Sequence, residues 1–392
     1  MSKEFIVDNN KCTGCMACYN ACNRNGITFE QNDEGFLYPQ KNSNCTDCGA
    51  CKRVCPIINQ KDISWFNQEA YAVCTNNREL WRESSSGGAF SEICRAWDDD
   101  SEDSIFYGAA WDGLNVIHKP IVGYANIAPL RKSKYIESNI GYTYKNIKGQ
   151  LIEGKHVLFS GTPCQVAGLK AFLGKEYDNL LLVDIICHGV GSAKVFRSCS
   201  DEIEKQFKKS VKSYSFRHKN RAFTQDHIEL VTFDDGSTVQ LENDPYIQLF
   251  TSQKCLRKSC GANCIYRFIR RQGDVTIGDF KHLLDVFPNM KGYKYNFSTI
   301  VINSSKGKAV METIKDKAKS YSCELNDIKK YNPTIYTHTI IAEDRDDFFN
   351  DYIKDPQLAI RTRTKESRVY KQNIKGKIFD ILPRFLRARY EK

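Results

Sequence analysis

No stretch of this 392-residue chain approaches the ~20 consecutive apolar residues that a membrane-spanning helix needs. The densest apolar runs, at 180–187 and 157–160, are strand-sized. Residues 1–11 lack the basic-then-apolar pattern of an export signal, so a cytoplasmic location is expected. Low-complexity tracts are also missing. With 41% hydrophobic and 27% charged residues the chain is not of the disordered class. Its length suits one large domain with an appendage, or two ordinary domains.

Cysteine, by contrast, is abundant: 17 in all, eight of them between Cys12 and Cys55. An odd count in a long chain without an export signal argues against a disulfide scaffold. Clustered thiols in a reducing compartment bind metal or carry out redox chemistry. Cys12, Cys15, Cys18 and Cys22 are spaced by three, three and four; Cys45, Cys48, Cys51 and Cys55 repeat this 33 residues later, with Pro56 next. This is the run of a two-cluster ferredoxin, in which three neighbouring cysteines wrap one 4Fe-4S cubane and the fourth reaches to the other. Cys12, Cys15, Cys18 and Cys55 are therefore expected to hold one cluster, and Cys45, Cys48, Cys51 and Cys22 the second. Zinc would use two pairs and leave the third close cysteine and the duplication unexplained. Gly14 and Gly49 fall where the backbone must fold tightly. Asn23 stands where a proline commonly follows the fourth cysteine, a change expected to bear on solvent access at the Cys22 cluster.

Beyond a polar link at 59–68, strands are expected at 70–74, 105–110, 156–160, 180–187, 227–233, 274–278 and 299–303. Helices are expected at 88–97, 165–173, 193–208 and 306–319. The alternation predicts a mixed α/β domain over 69–358, behind a ferredoxin-like module at 1–60, with its chemistry on loops at strand ends. Ser84, Ser85, Ser86, Gly87 and Gly88 precede a helix, an arrangement able to hold a phosphate, although small residues also begin ordinary helices. Cys164 and Cys187 each follow a buried-looking strand, and Cys255, Cys260 and Cys264 lie on a later loop. One such cysteine is usually a buried small hydrophobe; together they make a third cubane credible.

These segments resemble the beta-subunit family of coenzyme F420 hydrogenases and dehydrogenases, here with a fused two-cluster ferredoxin. The resemblance runs through residues 82–90, Ser133-Lys134-Tyr135 with Ser138, residues 160–170, Asp184, Cys187-His188-Gly189-Val190, residues 255–260 and 274–280. It implies an FAD-binding domain with a cubane against the flavin. By position, Arg82, the 84–88 loop, Ser133, Lys134, Tyr135, Gly161 and Thr162 would contact the cofactor. Cys164, Cys187, Cys260 and Cys264 would hold the third cluster. The last pair is usually CxxC, whereas an extra residue separates Cys260 from Cys264, which leaves Cys255 as the alternative ligand. Gly191 replaces a common proline, and Lys281 a tryptophan.

Cubanes move single electrons, whereas a flavin exchanges electrons singly or in pairs, so the parts predict a converter between an electron-carrier protein and a small organic substrate. His188, Asp279 and Lys219 are the candidate proton-handling residues, with loop orientation or mutual pairing as the plainer roles. The leading expectation is a ferredoxin-linked enzyme acting on a sugar or sugar-lipid in polysaccharide biosynthesis; the alternatives are coenzyme F420 as the substrate, within a hydrogenase or dehydrogenase complex, and a non-catalytic electron relay. Charge is lopsided. Residues 359–392 hold eleven basic and three acidic residues, a net +8 of the chain's +10. Ile378, Phe379, Leu382, Phe385 and Leu386 alternate there with basic residues. That pattern fits either peripheral contact with an anionic membrane or docking on the protein's own body. Without stacking aromatics or a known motif, nucleic-acid binding is not expected.

Overall fold

The two cysteine runs fold alike. In the computed structural model, which describes residues 5–60, 66–98, 104–219, 227–267, 271–291 and 295–369, each run winds into a short helix, Ala17–Ala21 and Ala50–Arg53. Equivalent positions of the two runs share left-handed backbone: Gly14 (φ 69°) matches Asp47 (φ 53°), and Met16 (φ 60°) matches Gly49 (φ 74°). Each half thus supplies one glycine and tolerates one side chain in a conformation that costs about 1 kcal/mol. An antiparallel hairpin, Ile27–Gln31 with Leu37–Lys41, separates the runs.

The body is built on a nine-stranded sheet. From one edge its strands are Ala318–Cys323, Glu69–Thr75, Ser298–Ile302, Val275–Asp279, Leu180–Ile185, Val157–Gly161, Ile105–Asp112, Asn115–Val122 and Ser138–Asn139. Val275–Asp279, Leu180–Ile185, Val157–Gly161 and Ile105–Asp112 form a parallel block. Parallel strands are covered on both faces and therefore read as continuous apolar runs. Val157, Leu158 and Phe159 are accordingly all 0% exposed, and each such large side chain contributes about 1.5–3 kcal/mol by its burial. Leu158, Leu181 and Val183 pack beneath helices Ala89–Trp97 and Ser305–Lys315. Val157, Phe159 and Leu182 face helices Thr143–Ile152 and Pro163–Leu173.

All seven expected strands and four expected helices form, His227–Phe233 with the expected bounds and the others with ends shifted. The expected helix at 306–319 stops at Lys315; Ala318–Cys323 instead adds to the sheet edge beside Glu69–Thr75. The expected strand at 180–187 ends at Ile185, which frees Cys187 and His188 from the sheet. A second sheet, Arg368–Val369, Thr238–Glu242, His227–Phe233 and Val211–Lys219, packs with helix Ala193–Phe207 in a core that also takes in Cys12, Phe36 and Tyr38. The cysteine module is thus built into the body. Arg257, 0% exposed, spans the junction: it donates to the carbonyls of Cys12 (2.9 Å) and Leu37 (2.8 Å) and pairs with Glu137. Glu34 pairs with Arg345 at 2.6 Å.

Of the expected basic tail at 359–392, the described part is folded onto the body. Ala359 and Ile360 are buried in helix Pro356–Arg361, and Arg368–Val369 joins the second sheet. The amphipathic stretch around Ile378 to Leu386 lies outside the described residues. No helix among the described residues is long and apolar enough to cross a membrane.

Candidate functional site

At the carboxyl ends of the parallel block lies a cavity of about 660 Å3, of the size that takes a small ligand. Gly161, Ile185, Gly278 and Asp279 line it from the strand ends. Ser84, Ser85, Ser86 and Gly88 form one wall, where helix Ala89–Trp97 begins with Gly88 at φ 95°. Gly87 is pressed against the sheet: a Cβ there would fall 2.2 Å from the Val73 carbonyl oxygen. Lys219 clamps this loop from behind. It donates to the carbonyls of Trp81 (2.8 Å) and Ser86 and lies over the Trp81 ring, and burial pulls its amine down to about 7. Lys219, Gly87 and Arg82 do not line the cavity, so Lys219 holds the loop rather than meeting a ligand.

Asp279 pairs with Arg217, at 2.8 and 3.2 Å; the mutual pairing with Lys219 weighed as a plainer role is not seen among the described residues. Arg217 also donates to the Ser85 carbonyl (3.1 Å) and the Tyr135 hydroxyl (3.3 Å). One guanidinium therefore ties the serine loop, the tyrosine and a strand end together. Ser133 donates from its amide to the Ser85 hydroxyl at 2.8 Å. Lys134 donates to the carbonyls of Pro129 (3.1 Å) and Arg131 (2.6 Å), and burial pulls it down to about 7. Tyr135, Thr162 and His188 also line the space, and burial lowers the His188 pKa, favouring the neutral ring.

The lining is electropositive. Of Arg131, Lys132, Lys134 and Lys281, only Lys132 has a carboxylate partner among the described residues, Glu83 at 3.4 Å. Asp279 and Glu137 are neutralised by Arg217 and Arg257, and burial pushes the Glu229 carboxyl up to about 7. Cations, serine hydroxyls and a helix N-terminus suit phosphates; Ile185, Ile186, Phe216 and Phe250 suit a planar ring. A flavin dinucleotide fits this donor set. His118, absent from the sequence-based candidates, lines the cavity with both nitrogens engaged, 2.7 Å from the Ser138 hydroxyl and 3.1 Å from the Ser160 carbonyl. The carbonyl can only accept, so Nε2 carries the proton, and burial lowers the ring's pKa to about 4.

Cys164 opens helix Pro163–Leu173, which is capped by Thr162 and Gln165, and Cys187 lies two residues past its strand. Both line the main cavity and also a smaller one of about 30 Å3, which Cys260 and Cys264 complete. Cys255 is elsewhere, in the apolar core with Tyr246 and Leu256, so Cys264 is the one gathered with the other three. The four thiols surround a space rather than one point: among the described residues no three His, Cys, Asp or Glu are grouped to hold a metal ion. Three hydroxyls at this cavity, those of Thr13, Ser259 and Tyr266, are buried with no hydrogen-bond partner among the described residues. Arg267, 5% exposed, donates among the described residues only to carbonyl and hydroxyl oxygens, at 2.9 Å to His188 and 3.0 Å to Thr339 among them. Orphaned buried donors and an unbalanced buried cation are costly unless an anionic acceptor joins them. A thiolate-ligated cubane is such an acceptor, and the residues fit it.

Most of the cysteines of residues 12–55 have others of their own set for neighbours. Cys55 stands near Cys12, Cys15 and Cys18, and Cys51 near Cys45 and Cys22. The Gly26 amide donates to Cys22 Sγ at 3.2 Å. Tyr266, which lines the small cavity, has Cys15 and Cys55 of the amino-terminal set near it as well as Cys164 and Cys264.

Residues 154–330 match the family model for the carboxyl-terminal region of the coenzyme F420 hydrogenase/dehydrogenase beta subunit, and residues 11–57 match a 4Fe-4S dicluster domain. The chain thus carries a carboxyl-terminal domain of the coenzyme F420 hydrogenase/dehydrogenase beta-subunit family behind a 4Fe-4S dicluster domain. Its dicluster domain holds two 4Fe-4S clusters. An uncharacterized ferredoxin of Methanocaldococcus jannaschii is 34% identical over 56 residues, 14% of this chain and 73% of the ferredoxin. A chain of the F420-reducing NiFe hydrogenase complex from Methanosarcina barkeri aligns with a TM-score of 0.43 at 11% identity, over 79% of this chain and 98% of that one. Within the family's beta-subunit segment lie Cys164, Cys187, Cys260, Cys264, Arg217 and Asp279, whereas the 84–88 loop precedes it. At Gly191, where the resemblance leads one to expect a proline, a Cβ would fall 2.1 Å from the Tyr246 hydroxyl and 2.8 Å from the Tyr135 carbonyl oxygen.

Proposed function

We propose that this beta-subunit-family protein is an iron–sulfur flavoprotein oxidoreductase. Electrons pass between an electron-carrier protein at the amino-terminal clusters and a small acceptor in the main cavity. One observation carries the reading: Cys164 and Cys187 form a wall common to the four-cysteine cavity and the ligand cavity, and Thr13 of the first cysteine loop borders both. In this reading Cys164, Cys187, Cys260 and Cys264 hold a third 4Fe-4S cluster, and FAD occupies the larger space. A bound flavin supplies the exchange between single electrons and electron pairs.

The chain's own residues have separable tasks. Amides and hydroxyls of the 84–88 loop, at the start of helix Ala89–Trp97, receive phosphate oxygens together with Arg131 and Lys134. Arg217 fixes Tyr135 and Ser85 in place. Glu229 holds a proton at the cavity near neutral pH, and His118 stays neutral between Ser138 and Ser160. Tyr266, Thr13 and Ser259 donate toward sulfur, which tunes the cluster's potential.

Family membership supports coenzyme F420 as the partner substrate and a place in a hydrogenase- or dehydrogenase-type complex. Nothing in the cavity or the relatives supports polysaccharide biosynthesis, and that expectation is set aside. Mixing reduced protein with oxidised coenzyme F420 tests the reading: its visible band should bleach at a rate proportional to protein. An unchanged band with fully reduced clusters and flavin would remove this substrate.

A further inference from the structure

Beside the amino-terminal clusters, away from the main cavity, a second hollow of about 510 Å3 opens between the cysteine module and the body. Its walls are contributed by both cysteine runs and by helices Thr143–Ile152 and Pro163–Leu173. Asn23 adjoins Cys22 in sequence, and Ala50 adjoins Cys51, so the hollow lies against the second cysteine group. Arg53, Lys145 and Lys148 line it, and no carboxylate does. Asp47, the acidic residue between Cys45 and Cys48, is tied to Lys41 at 2.6 Å.

Two of the three cations brace the cysteine loops. Arg53 donates to the Cys48 carbonyl (2.9 Å) and Lys145 to the Cys22 carbonyl (3.4 Å). Lys148 is exposed, with its amine 5.6 Å from the centre of the Phe172 ring. Apolar surface accompanies the charge: Ile152, which lines the hollow, is 70% exposed, and Tyr142 at the start of the same helix is 44% exposed. Cys48 is the exposed member of the eight cysteines. A basic surface with exposed apolar side chains, next to the second cysteine group, has the character of a transient protein interface.

We infer that this hollow docks a small acidic electron-carrier protein, which exchanges electrons with the cluster of Cys22, Cys45, Cys48 and Cys51. Charge complementarity commits the choice. Three cations around the cluster's edge attract an acidic partner, hold its redox centre close to the second cluster, and release it when salt screens the field. Asn23 belongs to this surface; it keeps the edge of the Cys22 loop polar where relatives commonly place a proline. The inference deepens the function proposed above and rests on its direction of electron flow through the amino-terminal module.

Stopped-flow reduction of the full chain by a small acidic two-cluster ferredoxin tests it. Lys148→Glu and Ile152→Asp touch no cysteine loop and should leave the iron content unchanged. Each should slow second-order reduction about tenfold at low ionic strength, the two rates converging with wild type near 0.5 M salt. Reduction by dithionite should be unaffected. Equal ferredoxin rates in wild type and both variants would overturn the docking site. So would a loss of self-association in the variants without a change in rate, which would assign the hollow to a second copy of the chain. A failure of dithionite-reduced wild type to reduce any flavin would instead count against the function proposed above and leave the docking result standing.

Discussion

Cys15 and Gly168 meet across the boundary between the cysteine module and the body. A Cβ added at Gly168 would lie 3.0 Å from Cys15 Cβ and 3.1 Å from its Sγ. Gly168 is one helical turn beyond Cys164, so a single helix carries a thiol of the inner group and touches a thiol of the amino-terminal group. The absence of a side chain there is what lets the two groups approach. Gly168→Val should cost about 1–3 kcal/mol through overpacking. It should also slow electron passage between the amino-terminal clusters and the inner site. Thermal denaturation and stopped-flow reduction read the two effects, and an undisturbed variant would mean that the contact is not needed.

The inner thiol set makes a discriminating pair of variants available. Cys264→Ser should lose about a third of the protein's iron, the share of one cubane in three. Cys255→Ser should keep its iron and lose stability instead, because a hydroxyl replaces a thiol in an apolar core. Iron analysis of anaerobically prepared protein decides, and the opposite pattern would exchange the roles of the two cysteines.

Arg217 joins Asp279, Tyr135 and Ser85 through its planar fork, a geometry that a lysine cannot reproduce. Arg217→Lys is expected to reduce flavin content per chain while leaving iron untouched. Full flavin occupancy in the variant would show that the Ser85 loop keeps its shape without this clamp.

Burial raises the Glu229 carboxyl to about 7, so the folded protein binds a proton there that the unfolded chain, with an ordinary carboxylate, has released. Stability from this group is present at low pH and is lost as pH rises toward about 7, on the order of 1–3 kcal/mol in all. Relative to wild type, Glu229→Gln should therefore gain in melting temperature between pH 6 and pH 8. A constant difference across that range would show that Glu229 does not titrate there.

Legibility differed between the two halves for physical reasons. Ligands of the amino-terminal clusters come from short, repeated spacings, so Cys12 through Cys55 could be grouped from the sequence; the structure sets Cys55 beside Cys12, Cys15 and Cys18, and Cys51 beside Cys45 and Cys22. The parallel strands were readable because burial on both faces makes them unbroken apolar runs. Ala318–Cys323 was not, since an edge strand with mostly polar side chains carries little pattern and follows directly on a helix. Arg217, Glu229, His118 and Tyr266 gave no local signal; each matters through the fold, which alone brings its surroundings near. Asp279 and Lys219 were legible as charged residues close to the site, but their pairing was not: the strand that carries both Arg217 and Lys219 points the first at Asp279 and the second at the back of the serine loop.

The central claim is that four remote thiols and a flavin share one wall of the body. Iron, sulfide and flavin analysis of anaerobically isolated protein tests it most directly. The account expects about twelve irons, about twelve sulfides and about one FAD per chain. About eight irons and no flavin would contradict it, leaving an amino-terminal relay without the inner site.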